Sequence, residues 1–256
     1  MFKPTRLYKY RAMDKHASDL FCRKVMYFNV PSKLNDPFEL GPVLDGSCNQ
    51  LSWRKAIFSE THDVHADWTP AEIAAEVDRR AGEYPPSTAD LEATFDAYRT
   101  RLDEVGMLSA SARWDSIVMW SHYAASHTGF CVELDPGALP SRFEFHPVVY
   151  LKHRPNINVF SDRDSANKTA AFSKNEEWRY EDEWRLVLTP TAELKFPQEI
   201  DVPEGFVSGV ILGAMMTEED RTRVLDWVSE LSPAVETHQA FIDASDYRVG
   251  RRQCDI

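Results

Sequence analysis

The stretch WRYEDEWRLVL at residues 178–188 decides most of what the sequence predicts about the fold. Side chains alternate between the two faces of a strand, so this stretch predicts one apolar face and one charged face. The apolar face carries Trp184, Leu186 and Leu188 together with Asp182, and the charged face carries Glu181, Glu183 and Arg185. Charged groups leave water only when they are paired or hydrogen-bonded, so the charged face is either a cleft wall or a solvated ladder. The pattern alone leaves both interpretations open.

The composition of the 256-residue chain is typical of a globular protein, with 43% hydrophobic and 12% aromatic residues. The 29 basic and 41 acidic side chains give a formal net charge of −12, which opposes non-specific attraction to phosphate backbones and anionic membranes. We therefore expect no membrane partner, and a nucleic-acid partner requires a local basic groove.

Several sequence signals are missing. The N-terminal residues MFKPTRLYKYR lack the apolar core of a signal peptide, and no apolar run approaches the roughly 20 residues of a membrane span, so we expect a cytoplasmic protein. The four cysteines are far apart and predict neither a zinc site nor a disulfide framework. His122 and His127 are separated by about 140° around a helix, so metal ligation is not expected. Motifs of ordinary dehydrogenases, P-loop ATPases, zincins and serine hydrolases do not occur.

Strand-like and helix-like segments alternate irregularly along the chain. β-Branched and aromatic residues predict strands at residues 7–11, 25–30, 130–135, 148–152, 184–189, 206–212 and near 240–243. Capping residues predict helices after Thr69, after Ser87 or Thr88, after Asp115 as far as Ser126, and after Thr217.

This order predicts one α+β domain over residues 1–256, with a mixed, mainly antiparallel sheet and peripheral helices. We expect a pair of helices to form an insertion at about residues 52–105. The strands at residues 7–11, 25–30 and 184–189 should share one sheet. The polar residues 156–175 are typical of a mobile loop.

The turn sequence NDPFE at residues 35–39 can have a purely structural role, since Asx side chains bond backbone amides in such turns. A role of these residues in a functional site is the alternative. His122 and Tyr123 share a helix region in which polar and aromatic groups replace simple core residues. We predict that the turn and this helix region line the same cleft as Glu183.

Four motifs together resemble a widespread bacterial family of proteins of unknown function. They are LYKYR at residues 7–11, YFNVPSKLNDPFE at 27–39, MWSHYA at 119–124 followed by HTGF at 127–130, and W-x-x-E-x-EWR at 178–185. The resemblance extends over nearly the whole chain and includes VILG at residues 210–213. It implies no established activity.

The order of these residues is also similar to that in ADP-ribosyltransferases. Members of that group use an early strand with Arg or His, a second strand with Ser or Tyr, and a late Glu-x-Glu; the order here is Arg11, then Tyr27 or Ser32, then Glu181 and Glu183. The second strand departs from the pattern, because Asn29 lies where a small hydroxyl is expected. The resemblance implies an ADP-ribosyltransferase-like fold, NAD as substrate, a protein or nucleic-acid acceptor, and a toxin or defence effector.

Under this resemblance the candidate catalytic residues are Glu183 and Glu181. Glu183 opposes the oxocarbenium charge that develops as the nicotinamide–ribose bond breaks, and Glu181 serves the acceptor. The candidate nucleotide-binding residues are Tyr10, Arg11, Tyr27, Ser32, Asn35, Asp36, His122 and Tyr123. Among them, Arg11 would hold the diphosphate, and Tyr27 or Tyr123 would stack on nicotinamide. No metal is expected.

Two other functions remain open. A metal-dependent nuclease would place the carboxylates of Asp36, Glu39, Glu181 and Glu183 around Mg²⁺ and would need a basic groove. A non-catalytic ligand- or partner-binding domain would keep the same cleft without turnover.

Overall fold

The computed structural model describes residues 3–232 and 234–254. The strands in this part of the chain are β1 (Leu7–Arg11), β2 (Val25–Phe28), β3 (Val43–Asp45), β4 (Gly106–Ser111), β5 (Phe130–Leu134), β6 (Phe145–Pro147), β7 (Val149–Leu151), β8 (Asn156–Asn158), β9 (Ser173–Asn175), β10 (Glu183–Leu188), β11 (Gln198–Asp201), β12 (Val207–Leu212), β13 (Glu236–Ile242) and β14 (Val249–Gln253). The α-helices are α1 (Asp19–Cys22), α2 (Gln50–Val64), α3 (Pro70–Ala81), α4 (Thr88–Asp103), α5 (Ile117–Tyr123), α6 (Arg163–Ala171) and α7 (Glu218–Leu231). Short 3-10 helices cover Pro31–Lys33, Pro136–Ala138 and Glu176–Glu181. Within the described residues, no helix is both long and apolar enough to cross a bilayer.

Eight strands form the main sheet in the order β14-β13-β12-β5-β1-β4-β10-β6. Neighbouring strands are antiparallel except β12 and β13, which are parallel. The predicted α+β class with a mixed, mainly antiparallel sheet is therefore confirmed.

The prediction that residues 25–30 belong to this sheet is wrong. β1 and β10 share the main sheet, but β2 pairs with β11 in a separate two-stranded sheet. Met26 and Phe28 are buried in the main core while Tyr27 is exposed. Strand composition correctly indicated the conformation of this segment, whereas its partner depends on which apolar surface the segment covers.

Apolar side chains cover both faces of the main sheet. One face packs against α1 and α7 through Leu7, Phe21, Phe130, Val132, Leu134 and Val224. The other face packs against α5 through Tyr8, Tyr10, Trp120, Cys131 and Ile211. All five residues of β5 are buried, so this strand lies at the centre of the core.

The stretch at residues 52–105 contains parts of three helices where the sequence predicts two. The predicted capping residues Thr69 and Ser87 begin α3 and α4, each through a capping box. The additional helix, α2, is capped by Asn49, whose side chain accepts a hydrogen bond from the Ser52 amide. An Asn-x-x-Ser cap differs from the Ser/Thr-x-x-Glu pattern, which explains why the sequence signal for this helix is weaker.

The helix predicted from Asp115 to Ser126 is shorter and has a different cap. Ser116 caps α5 by accepting a hydrogen bond from the Met119 amide, and the Asp115 carboxylate instead accepts one from Arg113. The helix ends at Tyr123 because Ala125, Ser126 and His127 have φ values of +47°, +55° and +69°, which lie in the left-handed region.

Residues 156–175, predicted as a mobile loop, contain regular structure instead. They form β8, α6 and β9, and α6 is capped by Asp162. Ala166, Ala170 and Ala171 are buried against α4 and β4. These small apolar side chains anchor a segment whose composition is otherwise polar.

Gly129 lies where its segment contacts the backbone of β1. A Cβ atom at this position would collide with the carbonyl oxygen of Arg11. We expect Gly129→Ala to lower the free energy of unfolding by at least about 1–3 kcal/mol, because backbone cannot move aside as a flexible side chain can. Urea denaturation measures the effect. Gly82→Ala is the matched control, since Gly82 has helical φ and its Cβ would meet no atom closer than 3.3 Å; equal losses in both variants would contradict this account.

Candidate functional site

The site lies where β4 changes its hydrogen-bonding partner. β4 pairs with β1 only at Tyr8 and Ser111, and further along it pairs with Asn29 through Met107. Between these two points the β1 and β4 backbones separate. The Lys9 ammonium bridges the gap by donating to the carbonyl oxygen of Ser109, at 2.7 Å. Such a split leaves side chains of both strands facing an open space.

A cavity of about 270 Å³ occupies this gap, and we call it the candidate cavity. Its walls combine aromatic, amide, cationic and carboxylate groups: Tyr8, Lys9, Tyr10, Arg11, Tyr27, Asn29, Asn35, Glu39, Ser109, Ser111, Tyr123, Lys174, Glu181 and Glu183. Apolar walls come from Leu34, Met107, Ala110 and Met119. A largely apolar space with a few convergent polar groups is typical of a small-molecule site.

Five buried side chains in the wall of the candidate cavity and directly behind it form an ion cluster. They are Glu39, Lys174, Glu181, Glu183 and Arg185, each with its side chain at most 5% exposed. The alternative of a solvated ladder is therefore wrong, because these charges are removed from water. Burial of so many charges is tolerated only when each has close partners of opposite sign.

Arg185 holds the centre of the ion cluster. Its Nε and one terminal nitrogen donate to the two oxygens of Glu183 at 2.8 and 3.0 Å. The other terminal nitrogen donates to the carbonyl oxygen of Ala171 at 2.7 Å and lies 2.7 Å from Glu39 Oε1. Burial alone would raise the pKa of Glu183, but the ion pair with Arg185 outweighs it and lowers that pKa to about 2. Glu183 is therefore a stable carboxylate.

Glu181 has a different environment. Its Oε2 accepts a hydrogen bond from the Lys174 ammonium at 2.6 Å, and its Oε1 accepts one from the Tyr123 hydroxyl at 2.6 Å. Asn35 in turn donates to the Tyr123 oxygen at 3.0 Å. Burial raises the pKa of Glu181, against the effect of Lys174. A buried carboxyl with a raised pKa is suited to accept and release a proton.

The backbone around Glu181 and Glu183 differs from the single strand that the sequence predicts. They do not lie on one strand, since Glu181 ends the 3-10 helix at Glu176–Glu181 and Glu183 begins β10. Asp182 between them has a left-handed φ of +44° and is exposed, so its predicted place on the apolar face is wrong. The Ser111 hydroxyl donates to the carbonyl oxygen of Glu181 at 2.6 Å and fixes this turn.

Lys174 joins the two carboxylates. Its ammonium donates to Glu181 and, at 3.0 Å, to Glu183 Oε2, and it lies 4.9 Å from the centre of the Trp178 ring. Burial lowers the pKa of Lys174, but Glu183 and Glu181 outweigh that effect and raise it. Lys174 therefore stays positively charged.

Two further cations, Lys9 and Arg11, line the candidate cavity. Among the described residues no carboxylate forms an ion pair with Lys9, although the charges of Glu183 and Glu181 are near enough to act on its pKa. Burial, followed by the nearby Arg11 charge, lowers the pKa of Lys9 to about 8. Arg11 donates to the carbonyl oxygen of His16 at 3.2 Å and lies 3.7 Å from an Asp14 carboxylate oxygen.

The structure brings most of the predicted site residues to the candidate cavity. Its walls include Tyr10, Arg11, Tyr27, Asn35, Tyr123, Glu181 and Glu183. Tyr10 is buried, and its hydroxyl donates to the carbonyl oxygen of Arg113 at 2.9 Å, whereas Tyr27 is 51% exposed at the rim. The turn and α5 thus meet beside Glu183 through Asn35 and Tyr123.

Three predicted site residues lie elsewhere. The Ser32 amide donates to an Asp103 carboxylate oxygen at 2.7 Å. Asp36 is buried and accepts a hydrogen bond from the Phe38 amide at 2.9 Å, which is the turn-forming role of an Asx residue. His122 is exposed, with its Nδ1 3.2 Å from the Tyr180 hydroxyl oxygen. None of the three lines the candidate cavity.

Sequence reasoning missed Lys174 as a site residue, and it considered Lys9 only as a possible ion-pair partner of Glu181 or Glu183, not as a nucleotide-binding residue. Lys174 lies in the stretch predicted as a mobile loop, and its pairing with Glu181 and Glu183 depends on β9 and the 3-10 helix that follows it. Charge balance could have indicated Lys174, since burying Glu181 and Glu183 with Arg185 alone leaves one negative charge without a partner. Lys9 alternates with Arg11 on β1, but the split between β1 and β4 has no sequence signature.

The described residues contain no group of three or more His, Cys, Asp or Glu side chains arranged to hold a metal ion. Glu39, Glu181 and Glu183 do converge, but they converge on Lys174 and Arg185. Cationic side chains therefore occupy the position that a metal would take in the nuclease alternative.

Comparison with known proteins gives one result. The family described as protein of unknown function (DUF2971) matches residues 119–186. This span includes the motifs at residues 119–130 and 178–185 but not those at residues 7–11 and 27–39, so the match is shorter than the resemblance implied. No curated protein matches the chain significantly, and neither does any solved structure.

Proposed function

We propose that the chain is an enzyme that binds NAD in the candidate cavity and cleaves its nicotinamide–ribose bond. One observation carries this proposal: a single cavity is lined both by the carboxylates Glu181 and Glu183 and by the cations Lys9 and Arg11. A nucleotide has matching chemistry, because its ribose hydroxyls donate to carboxylates and its phosphates accept from cations. The resemblance of the residue order to that in ADP-ribosyltransferases supports the same substrate.

Glu181 is the residue we place on the reacting atoms. Its raised pKa and its two hydrogen bonds, from Tyr123 and Lys174, suit a general base held in one orientation. The ribose–nicotinamide bond breaks with its electron pair going to nicotinamide, which leaves as a neutral molecule. A water or acceptor hydroxyl forms the new bond to the ribose carbon and gives its proton to Glu181, which then releases that proton to solvent.

Glu183 has a positioning role in this proposal. It accepts hydrogen bonds from Arg185 and Lys174, and its low pKa keeps it charged. Its charge holds Lys174 against Glu181 and adds to the negative potential that stabilises a developing oxocarbenium ion. The resemblance implied the opposite assignment, with Glu183 as the main catalytic residue and Glu181 serving the acceptor. We exchange these roles because Arg185 and Lys174 hold Glu183 as a permanent carboxylate, whereas the pKa of Glu181 is raised.

Binding should depend on the charge of Lys9. Because the pKa of Lys9 is about 8, the ammonium is present at pH 7 and is lost as the pH rises through 8. A phosphate favours the charged form, so we expect the affinity for NAD to fall by roughly tenfold between pH 7 and 9.5, the value of one charge-assisted hydrogen bond. Isothermal titration calorimetry measures this fall. Lys9→Met should bind weakly at both pH values, and an equally steep pH dependence in that variant would contradict the assignment.

A second candidate function, ligand binding without turnover, is favoured by one observation. Both oxygens of Glu181, the proposed general base, already accept hydrogen bonds from Tyr123 and Lys174, which is typical of a structural carboxylate. Calorimetry with NAD followed by chromatography of the mixture separates the two functions. Binding with nicotinamide release supports the enzyme, whereas binding with intact NAD supports the non-catalytic domain. The absence of NAD binding contradicts the enzyme and leaves a domain that binds another ligand.

A further inference from the structure

A smaller cavity, of about 170 Å³, shares only Lys174 with the candidate cavity, and we call it the basic cavity. Its walls come from the turn region at residues 38–42, from the loop at residues 152–155 that joins β7 to β8, and from β9. None of the described residues that line it is acidic, and four are basic: Lys152, His153, Arg154 and Lys174. In a chain with a formal net charge of −12, the basic cavity concentrates positive charge in one concave place.

The protein does not neutralise the positive charge of the loop at residues 152–155. Lys174 is already paired with Glu181 and Glu183. In contrast, neither Lys152 nor Arg154 forms an ion pair within the described part of the chain. Like charges around one small space repel each other, and an anion placed between them removes that repulsion. The basic cavity therefore has the electrostatics of an anion site.

Arg154 is held in one orientation at the basic cavity. Its guanidinium lies over the Phe38 ring, 5.0 Å from the ring centre. One of its terminal nitrogens packs beside Gly41, where an added Cβ atom would lie 3.3 Å from it. A guanidinium stacked on an aromatic ring keeps its N–H groups in the plane of the fork, which matches two oxygens of a phosphate. Because the side chain is already placed, little of its conformational entropy is lost on binding.

Neutral donors and the size of the basic cavity narrow the class of anion. The Asn175 side-chain oxygen accepts a hydrogen bond from the Glu177 amide, which leaves the Asn175 NH₂ group to donate. Ser173 adds a hydroxyl to the same wall. A volume of about 170 Å³ is well below the roughly 300 Å³ at which sites for whole small molecules begin. The basic cavity is thus large enough for one oxyanion group and too small for a nucleotide.

We propose that the basic cavity binds a phosphate group, which Arg154 and Lys152 hold by charge-assisted hydrogen bonds. A phosphate has the several acceptor oxygens and the double negative charge that this set of donors fits. The phosphate group comes either from the free ion or from a phosphate ester. This site is independent of the proposed function, because it uses neither Lys9 nor Arg11 and does not admit NAD.

Isothermal titration calorimetry with inorganic phosphate at constant ionic strength tests the site. We expect saturable binding with a dissociation constant of about 1 mM or lower, as two charge-assisted hydrogen bonds supply. Arg154→Gln should raise that constant at least about tenfold, because the bidentate donor is lost. Arg252→Gln is the matched control. It removes the same charge from an exposed residue of β14 outside the basic cavity and should leave the constant unchanged.

Lys9→Met separates the basic cavity from the candidate cavity and should keep the affinity for phosphate. Binding that is lost in Lys9→Met but kept in Arg154→Gln lies in the candidate cavity and overturns the inference. Equal weakening by Arg154→Gln and Arg252→Gln shows only non-specific attraction and also overturns it. If the wild type shows no saturable binding, the inference fails while NAD cleavage is untouched, because that reaction does not use the basic cavity.

Phenyl phosphate distinguishes the two sources of the phosphate group. Phe38 is 59% exposed beside Arg154, so an aromatic ester gains contact with its ring that the free ion lacks. Tighter binding of phenyl phosphate than of inorganic phosphate, lost in Arg154→Gln, assigns the site to a phosphate ester. Equal or weaker binding of phenyl phosphate assigns it to the free ion. Binding of phenyl phosphate that Arg154→Gln leaves unchanged overturns the inference.

Discussion

Glu181→Gln is expected to lower the rate of nicotinamide release from NAD by at least about 100-fold, the lower end of the contribution of a general base. The amide keeps the shape of the side chain and can still accept a hydrogen bond from Lys174, so the fold should be retained. The melting temperature should fall, because Lys174 loses one of its two buried carboxylate partners. The amide cannot take up a proton from water or from an acceptor hydroxyl. Initial rates of nicotinamide release at saturating NAD, together with a thermal melt, measure both effects.

Glu176→Gln provides the matched control for this substitution. Glu176 begins the same 3-10 helix but is exposed, so its replacement should change neither turnover nor melting temperature. Glu183→Gln should lower both turnover and stability, because Arg185 and Lys174 lose a buried partner. Full turnover in Glu181→Gln would show that Glu181 does not take the proton.

Arg185→Met is expected to lower the free energy of unfolding by about 3–5 kcal/mol, the usual result of removing one partner from a buried ion pair. Arg185 is 0% exposed, and its removal leaves Glu183 and Glu39 with one fewer buried cation. It also leaves the carbonyl oxygen of Ala171 without its side-chain donor. Urea denaturation followed by circular dichroism gives the free energy directly.

Arg99→Met is the control for loss of an arginine as such. Arg99 is an exposed residue of α4 paired with Asp96 on the same helix, and its replacement should leave the urea midpoint unchanged. The double variant Glu183→Gln with Arg185→Met should recover part of the stability, since the buried carboxylate is removed with its partner. If Arg185→Met lowers the free energy of unfolding by less than about 1 kcal/mol, Arg185 does not hold the ion cluster together.

The fold class and the starts of two helices could be predicted because their signals are local. Alternation of apolar residues indicated β10, the capping box at Thr69 indicated α3, and the capping residue Ser87 or Thr88 indicated α4. The left-handed conformation of Asp182 could not be predicted in the same way. It is held by contacts from distant segments, among them the hydrogen bond from Ser111 to Glu181.

The site could be predicted only in part, for a similar reason. Glu181, Glu183 and Tyr123 were found because charged and aromatic residues stood where core residues were expected. Lys174 was missed because its role arises from tertiary contacts in the ion cluster. The place of Lys9 in the cavity wall could not be predicted, because it depends on the split between β1 and β4. Asp36 and His122 had the right chemistry for a site, but the turn and the α5 surface direct them away from the candidate cavity.

The most direct test of the proposed function is incubation of the purified protein with NAD, followed by chromatographic measurement of nicotinamide. We predict release of one nicotinamide for each NAD consumed, and loss of that release in Glu181→Gln but not in Glu176→Gln. Intact NAD after incubation with the wild type, with water and with protein and nucleic-acid acceptors, would contradict the proposal. Release that continues unchanged in Glu181→Gln would contradict the role assigned to the candidate cavity.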